Sequence, residues 1–173
     1  INNSSSYITG SAGNSASASG NTGTTTDYTS TQGVKASTTG TVYGVYDMSG
    51  GAWEYVAGYV NNGHGNLTNY GSSLVNGDAK TKNVYSKASS DSYENNYNAN
   101  SSKYGDAVYE TSTNGSGSTS WYGDYSAFPN TSDPFFERGG GYNIGADAGV
   151  FYFNDVNGYG NSYYSFRPVL VAL

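Results

Sequence analysis

A chain of 173 residues with 13 acidic and only 7 basic side chains, net charge −6, has no cationic stripe with which to neutralise nucleic-acid phosphates. Its 25 glycines, 19 tyrosines and 16% aromatic content exclude the aromatic-poor, highly charged composition of a disordered chain. No apolar run is long enough to span a bilayer, and the absence of cysteine removes disulfides and thiolate metal sites alike.

Residues 1–40 are rich in Gly, Ser and Thr and read as an arm or long surface loop, with Tyr7, Ile8, Tyr28 and Val34 as its anchors. The remainder, 41–173, reads as one domain. In the apolar stretch from Thr41 to Tyr59, residues Val42, Val45, Met48, Trp53 and Val56 are expected to face one core, with Gly50-Gly51 as a sharp turn. Residues 61–83 are turn-rich (Asn62-Gly63, His64-Gly65, Asn76-Gly77). From Asn83 to Tyr109, polar residues surround Tyr85, Tyr93, Tyr97, Tyr104 and Val108, and a short helix is predicted over 101–111 with Ser101 as its cap. A Ser/Thr/Gly loop follows over 112–120. Short strands are predicted at 149–153 and 165–172, the second closing the core through Phe166, Val169 and Val171. No helix of three turns and no internal repeat is visible, so the expected fold class is α+β, loop-rich and β-leaning.

Gly44-Val45-Tyr46-Asp47-Met48-Ser49-Gly50-Gly51-Ala52-Trp53-Glu54-Tyr55-Val56 is similar to a signature of the formylglycine-generating-enzyme-like (sulfatase-modifying-factor) branch of C-type-lectin-like folds. Arg138-Gly139-Gly140 resembles that family's Arg-Gly-Gly turn, and Ser165-Phe166-Arg167-Pro168-Val169-Leu170 resembles its closing strand. Asp106-Ala107-Val108-Tyr109-Glu110, Trp121-Tyr122-Gly123-Asp124-Tyr125 and Ala148-Gly149-Val150-Phe151 resemble phrases of prepilin-like surface proteins of Firmicutes. The resemblance implies a C-type-lectin-like domain at an extracellular, cell-surface or pilus-associated location, with Ile1 lying inside a longer precursor.

Enzymatic members of that superfamily use cysteines with copper, or iron held by several histidines; with no cysteine and His64 as the single histidine, neither set can be assembled. His64 sits in Asn-Asn-Gly-His-Gly-Asn, a turn, and is read as solvated rather than as a catalytic base. Asp47 and Glu54 flank the Trp53 island, where carboxylates cap loops by accepting backbone N–H groups. Related domains bind calcium beside the Trp-Glu pair. Gly51 stands where their ligating Asn is expected, and Asn154, Asp155 and Asn157 read as turn residues rather than ligands. Gly139-Gly140-Gly141 lacks the Lys-Ser/Thr of a phosphate loop and is read as backbone permitting positive φ or close backbone approach. No catalytic residue, resident metal or cofactor is therefore expected.

The segment 142–164 carries the functional expectation. Small or apolar anchors alternate there with Tyr142, Asn143, Ile144, Asp147, Tyr152, Asn154, Asp155, Asn157, Tyr159, Asn161, Tyr163 and Tyr164, the residue types that paratopes favour. This pattern also resembles the variable proteins of diversity-generating retroelements. The expected function is non-catalytic binding of a protein or carbohydrate ligand at a surface. The alternative is a pilin or filament subunit whose tyrosines and N-terminal arm pack against identical neighbours.

Overall fold

The computed structural model describes residues 29–31, 33–37, 39–44, 52–103, 107–141, 149–162 and 164–166. Tyr7, Ile8, Tyr28, Val45, Met48, Gly50-Gly51, Tyr104 and the predicted strand beyond Phe166 lie outside them.

The described residues form a mixed, strand-rich fold: seven strands in one curled sheet, with short helices against both faces. Strand β1 (Trp53–Asn61) is its spine. The sequence WEYVAGYVN is β-branched and aromatic, the composition that suits a half-buried pleated surface. Strands β2 (Asn83–Ser86) and β5 (Phe135–Arg138) flank it, the first parallel and the second antiparallel. Beyond β5 come β6 (Phe153–Val156), then β4 (Ser126–Ala127) and β3 (Ser116–Gly117). The short β7 (Tyr164–Ser165) pairs in parallel with the start of β1, Trp53 opposite Tyr164 and Glu54 opposite Ser165. Since β5 follows β1 along its length, β7 and β2 divide the other edge between them.

Strand register sorts side chains onto two faces, because directly opposed residues share a face. One face, here called face A, carries Val60, Tyr85, Phe136 and Phe153, which pack with Tyr97, Val108 and Phe128. It is covered by helices α3 (Tyr93–Ala99) and α4 (Val108–Thr111). Face B carries Tyr59, Phe135 and Val156, packed on Leu67 with Leu74 and Val75. Its cover is α1 (Asn66–Asn69) and α2 (Ser72–Asn76). Among the described residues no helix exceeds the seven residues of α3, and none is long and apolar enough to cross a membrane.

Four local expectations are corrected. The helix predicted over 101–111 is instead two pieces, α3 before it and α4 at its end, with Ser101 in the turn after α3. Two asparagines one turn apart secure α3: Asn96 accepts from Ala88 N–H and donates to Asp91 and the Pro129 carbonyl, while Asn100 pairs with both backbone groups of Ser86. The strand predicted at 149–153 starts only at Phe153, because Tyr152 N–H closes a turn on the Gly149 carbonyl and Phe151 N–H donates to the buried Asp124 carboxylate at 2.9 Å. Val42 is exposed rather than in the core, on a run where hydroxyls of Thr39 and Thr41 bond each other and nearby backbone N–H groups. Phe166 is 74% exposed, since the ladder ends at Ser165 and the inward position belongs to Tyr164.

Candidate functional site

Strand β6 divides the residues singled out between 142 and 164. Asn154 opposes Glu137 and Val156 opposes Phe135, so both belong to face B; Asp155 opposes Phe136 and belongs to face A. Tyr152 precedes the strand and is buried. Tyr142, Asn143, Ile144, Asp147 and Tyr163 lie outside the described residues. Asn157, Tyr159, Asn161 and Tyr164 come together at the margin of face B.

Local sequence holds that margin in shape. Gly158 has φ +100, a conformation L side chains rarely adopt, and a Cβ there would stand 2.6 Å from the Phe135 ring. Asn157 Oδ1 accepts from Tyr159 N–H at 3.1 Å, and Asn161 Oδ1 accepts from Ser162 N–H at 2.6 Å, short side-chain turns of the kind Asn favours. The Tyr164 N–H then donates to the Asn161 carbonyl at 3.2 Å, leading the chain into β7.

The rings form a continuous aromatic chain. Tyr70 meets Tyr159 at 6.5 Å between centroids and Tyr159 meets Tyr164 at 6.2 Å, both edge to face. Tyr164 meets Tyr55 at 5.2 Å and Trp53 at 5.8 Å. The Tyr55 hydroxyl donates to the Tyr159 carbonyl at 2.9 Å, tying the outer loop to the spine strand. Tyr70 and Tyr159 are 53% and 39% exposed, whereas Tyr55, Trp53 and Tyr164 are half-buried behind them. Such an arrangement offers flat apolar area with hydroxyl tips on a support already packed, so little rotamer entropy is lost on contact.

Carboxylates behind this margin are strongly perturbed. Glu137, 2% exposed, accepts from Asn154 Nδ2 at 2.9 Å through Oε1, while Oε2 has no hydrogen-bond partner. Burial pushes its carboxyl up to about 7, opposed by the Asn154 bond and reinforced by Asp155. Burial also raises the Tyr152 and Tyr55 hydroxyls, and the Glu137 charge adds to both shifts. On face A, burial and then Asp133 raise Asp155 to about 7, and Asp155 in turn is the main cause that raises the Tyr93 hydroxyl. The two perturbed carboxyls project from opposite faces of one sheet, so they do not form a pair flanking a single bond.

Asn154, Asp155 and Asn157 likewise do not converge: the first two turn to opposite faces and the third is engaged with the Tyr159 amide. Among the described residues no group of three or more His, Asp or Glu side chains could hold a metal ion. His64 is exposed, its Nδ1 accepting from Asn66 N–H at 3.2 Å. Gly139 and Gly140 have φ +85 and +65, the positive-φ turn expected of them.

Sequence reasoning did not place Tyr55, Tyr70 and Trp53 at this site. Nothing local marks them, since the β1–β7 pairing and the Tyr70–Tyr159 contact join residues about a hundred positions apart. It also passed over a second exposed aromatic group, Trp121 and Tyr122 against Phe151, with Tyr122 stacked at 5.8 Å and held at φ +63. Comparison with known proteins found no match to any family model, curated protein or solved structure.

Proposed function

We propose that the protein is a non-catalytic extracellular binding module. It has a C-type-lectin-like fold of the formylglycine-generating-enzyme-like branch and presents the Tyr70–Tyr159–Tyr164 margin to a protein or carbohydrate ligand. The carrying observation is that two exposed tyrosines stand on a packed aromatic support whose loop is fixed by Gly158, two asparagine turns and the Tyr55 hydroxyl. The fold assignment is supported by the pairing of Tyr164-Ser165 with Trp53-Glu54 and by the positive-φ glycines after Arg138.

The test is the pair Tyr70→Ala and Tyr159→Ala, screened on a glycan array and against surface-protein fragments. Both rings are substantially exposed, so unfolding temperature should stay within a few degrees of the parent while binding falls at least about tenfold. Binding retained by the double variant would refute this margin as the ligand face. A second reading, a pilin-type subunit, is favoured by Trp121 and Tyr122, which are 55% and 84% exposed. Electron microscopy of the native material separates the two, since ordered filaments that bury those rings would support the subunit reading.

A further inference from the structure

Strands β1 and β2 run parallel and adjacent, so their C-terminal ends, Asn61 and Ser86, lie side by side. The chain leaves them toward opposite faces: after β1 it packs α1 and α2 on face B, and after β2 it packs α3 on face A. Loops that part in this way leave a crevice beyond the carboxyl ends of the strands, the place where open α/β sheets take their ligands. A cavity of about 460 Å³ occupies that crevice. It has the size of a small-ligand site. Asn62, Gly63 and His64 line it from the loop after β1, and Lys87 and Asp91 from the loop after β2. Thr131 and Ser132 close it from the turn before β5, which starts at this end because it runs antiparallel to β1.

Three asparagines lock these segments together. Asn62 Nδ2 donates to the Asp91 carboxylate at 3.2 Å and to the Thr131 carbonyl at 2.7 Å, so one side chain ties all three. Asn66 Nδ2 donates to the Ser132 carbonyl at 2.7 Å, and Asn96 Nδ2 holds the other Asp91 oxygen at 2.6 Å. Thr131 is kept at φ +37, a conformation that a β-branched residue adopts only under constraint. The walls are thus set before any ligand arrives, which spares the ordering cost of binding.

The groups left for a ligand are matched donors and acceptors. Lys87 is exposed, and among the described residues its ammonium has no hydrogen-bond or ion-pair partner. His64 Nδ1 accepts from Asn66 N–H at 3.2 Å, so the proton of the neutral ring sits on Nε2 as a further donor. Thr131 and Ser132 spend their hydroxyl protons on Asn130 Oδ1 and Asp133 Oδ2 and keep lone pairs as acceptors. None of the described residues that line the cavity carries an apolar side chain, and the charges of Lys87 and Asp91 cancel. An apolar body gains nothing there, and a charged one meets no excess of the opposite sign. A neutral polyhydroxylated ring fits, since each of its hydroxyls both donates and accepts.

We infer that this crevice binds an uncharged sugar unit, its hydroxyls accepting from Lys87 and His64 and donating to Thr131 and Ser132. The site lies beyond the ends of β1 and β2, whereas the tyrosine margin lies beside the start of β1, and it does not depend on the reading given to that margin. The probes are the methyl glycosides of glucose, galactose, mannose and N-acetylglucosamine, with glucuronate as a charged control and cyclohexanol as an apolar one. Each is followed by amide NMR on the whole chain. At least one glycoside should shift the amides of Gly63, His64, Asp91 and Ser132 at about millimolar concentration, with little change as salt rises. Lys87→Ala with Ser132→Ala removes a donor and an acceptor at exposed positions and should weaken binding at least about tenfold. Lys87→Arg, which keeps the donors, should bind like the parent. No glycoside shifting these amides, shifts confined to the tyrosine margin, tighter binding of glucuronate or of cyclohexanol, or indifference to the alanine pair would each overturn the assignment.

Discussion

Glu137 is the residue whose chemistry reaches furthest. Its folded carboxyl titrates near 7 against an ordinary 4.5, chiefly because it is buried. A pKa raised by folding means that the native state holds the proton more tightly than the unfolded chain does. The contribution of this group to stability is therefore fully present below pH 4.5, declines as pH rises through the interval, and is gone above about 7. The loss is roughly 3 kcal/mol for a shift of this size, and Asp155 adds its own over a window from 3.8 to about 7. The unfolding temperature should accordingly fall between pH 5 and pH 8. Glu137→Gln keeps an acceptor for the Asn154 amide, so it should stabilise by about 2 kcal/mol at pH 8 and by little at pH 5, as read by urea unfolding at the two pH values. A variant equally destabilised at both would show that the Glu137 proton does not control the difference. Nothing in the sequence distinguished this carboxylate, because its perturbation comes from burial, opposed by the Asn154 amide and reinforced by Asp155, and it meets these two residues of β6 only in the sheet.

The loop between β6 and β7 is the element that decides whether the tyrosine margin exists. At Gly158, alanine would combine φ +100 with a Cβ 2.6 Å from Phe135 and 2.9 Å from Tyr70 Cβ. At Gly160, two residues later, nothing lies within 4 Å. Gly158→Ala should therefore cost about 2 to 3 kcal/mol and displace Tyr159, whereas Gly160→Ala should be close to neutral, as measured by thermal unfolding and Tyr159 side-chain NMR. The comparison turns on packing and backbone conformation together, since both substitutions add the same methyl group but Gly158 alone of the two has a positive φ and close neighbours. Elements such as this one were partly legible in sequence. Asn157 read as a turn residue, and β1 was visible in its aromatic and β-branched run. Helix α3, with the sequence YENNYNA, carries no apolar periodicity of its own; Asn96 and Asn100 anchor it through bonds to Ala88, Pro129 and Ser86, which only tertiary structure brings near. The start of β6 was displaced for the same kind of reason, the Asp124 carboxylate holding the Phe151 amide in a turn.

At the scale of the whole molecule, the question is whether the two faces of the sheet form one folding unit. A β-leaning architecture followed from the glycine-rich, tyrosine-rich composition, but the division into two cores did not, because it depends on which strands pair. Phe128 is the most informative probe: it is fully buried on face A and touches Tyr85 at 5.3 Å, Phe136 at 5.1 Å and Tyr97 at 5.9 Å. Phe128→Ala should cost about 4 kcal/mol through lost contacts and the cavity left behind. Face B rests on the same three strands, β1, β5 and β6, so that loss should be felt by amides on both sides. Hydrogen exchange at Val60, which donates to the Pro134 carbonyl, should accelerate about a thousandfold if the residual stability exceeds the loss, and the Val75 amide bonded to Gly71 on the face B side should follow wherever it opens by global unfolding. Acceleration confined to face A, with the slowest face B amides unchanged, would mean that the cores open separately. The tyrosine margin would then stand on a support that does not share the stability of the rest of the sheet.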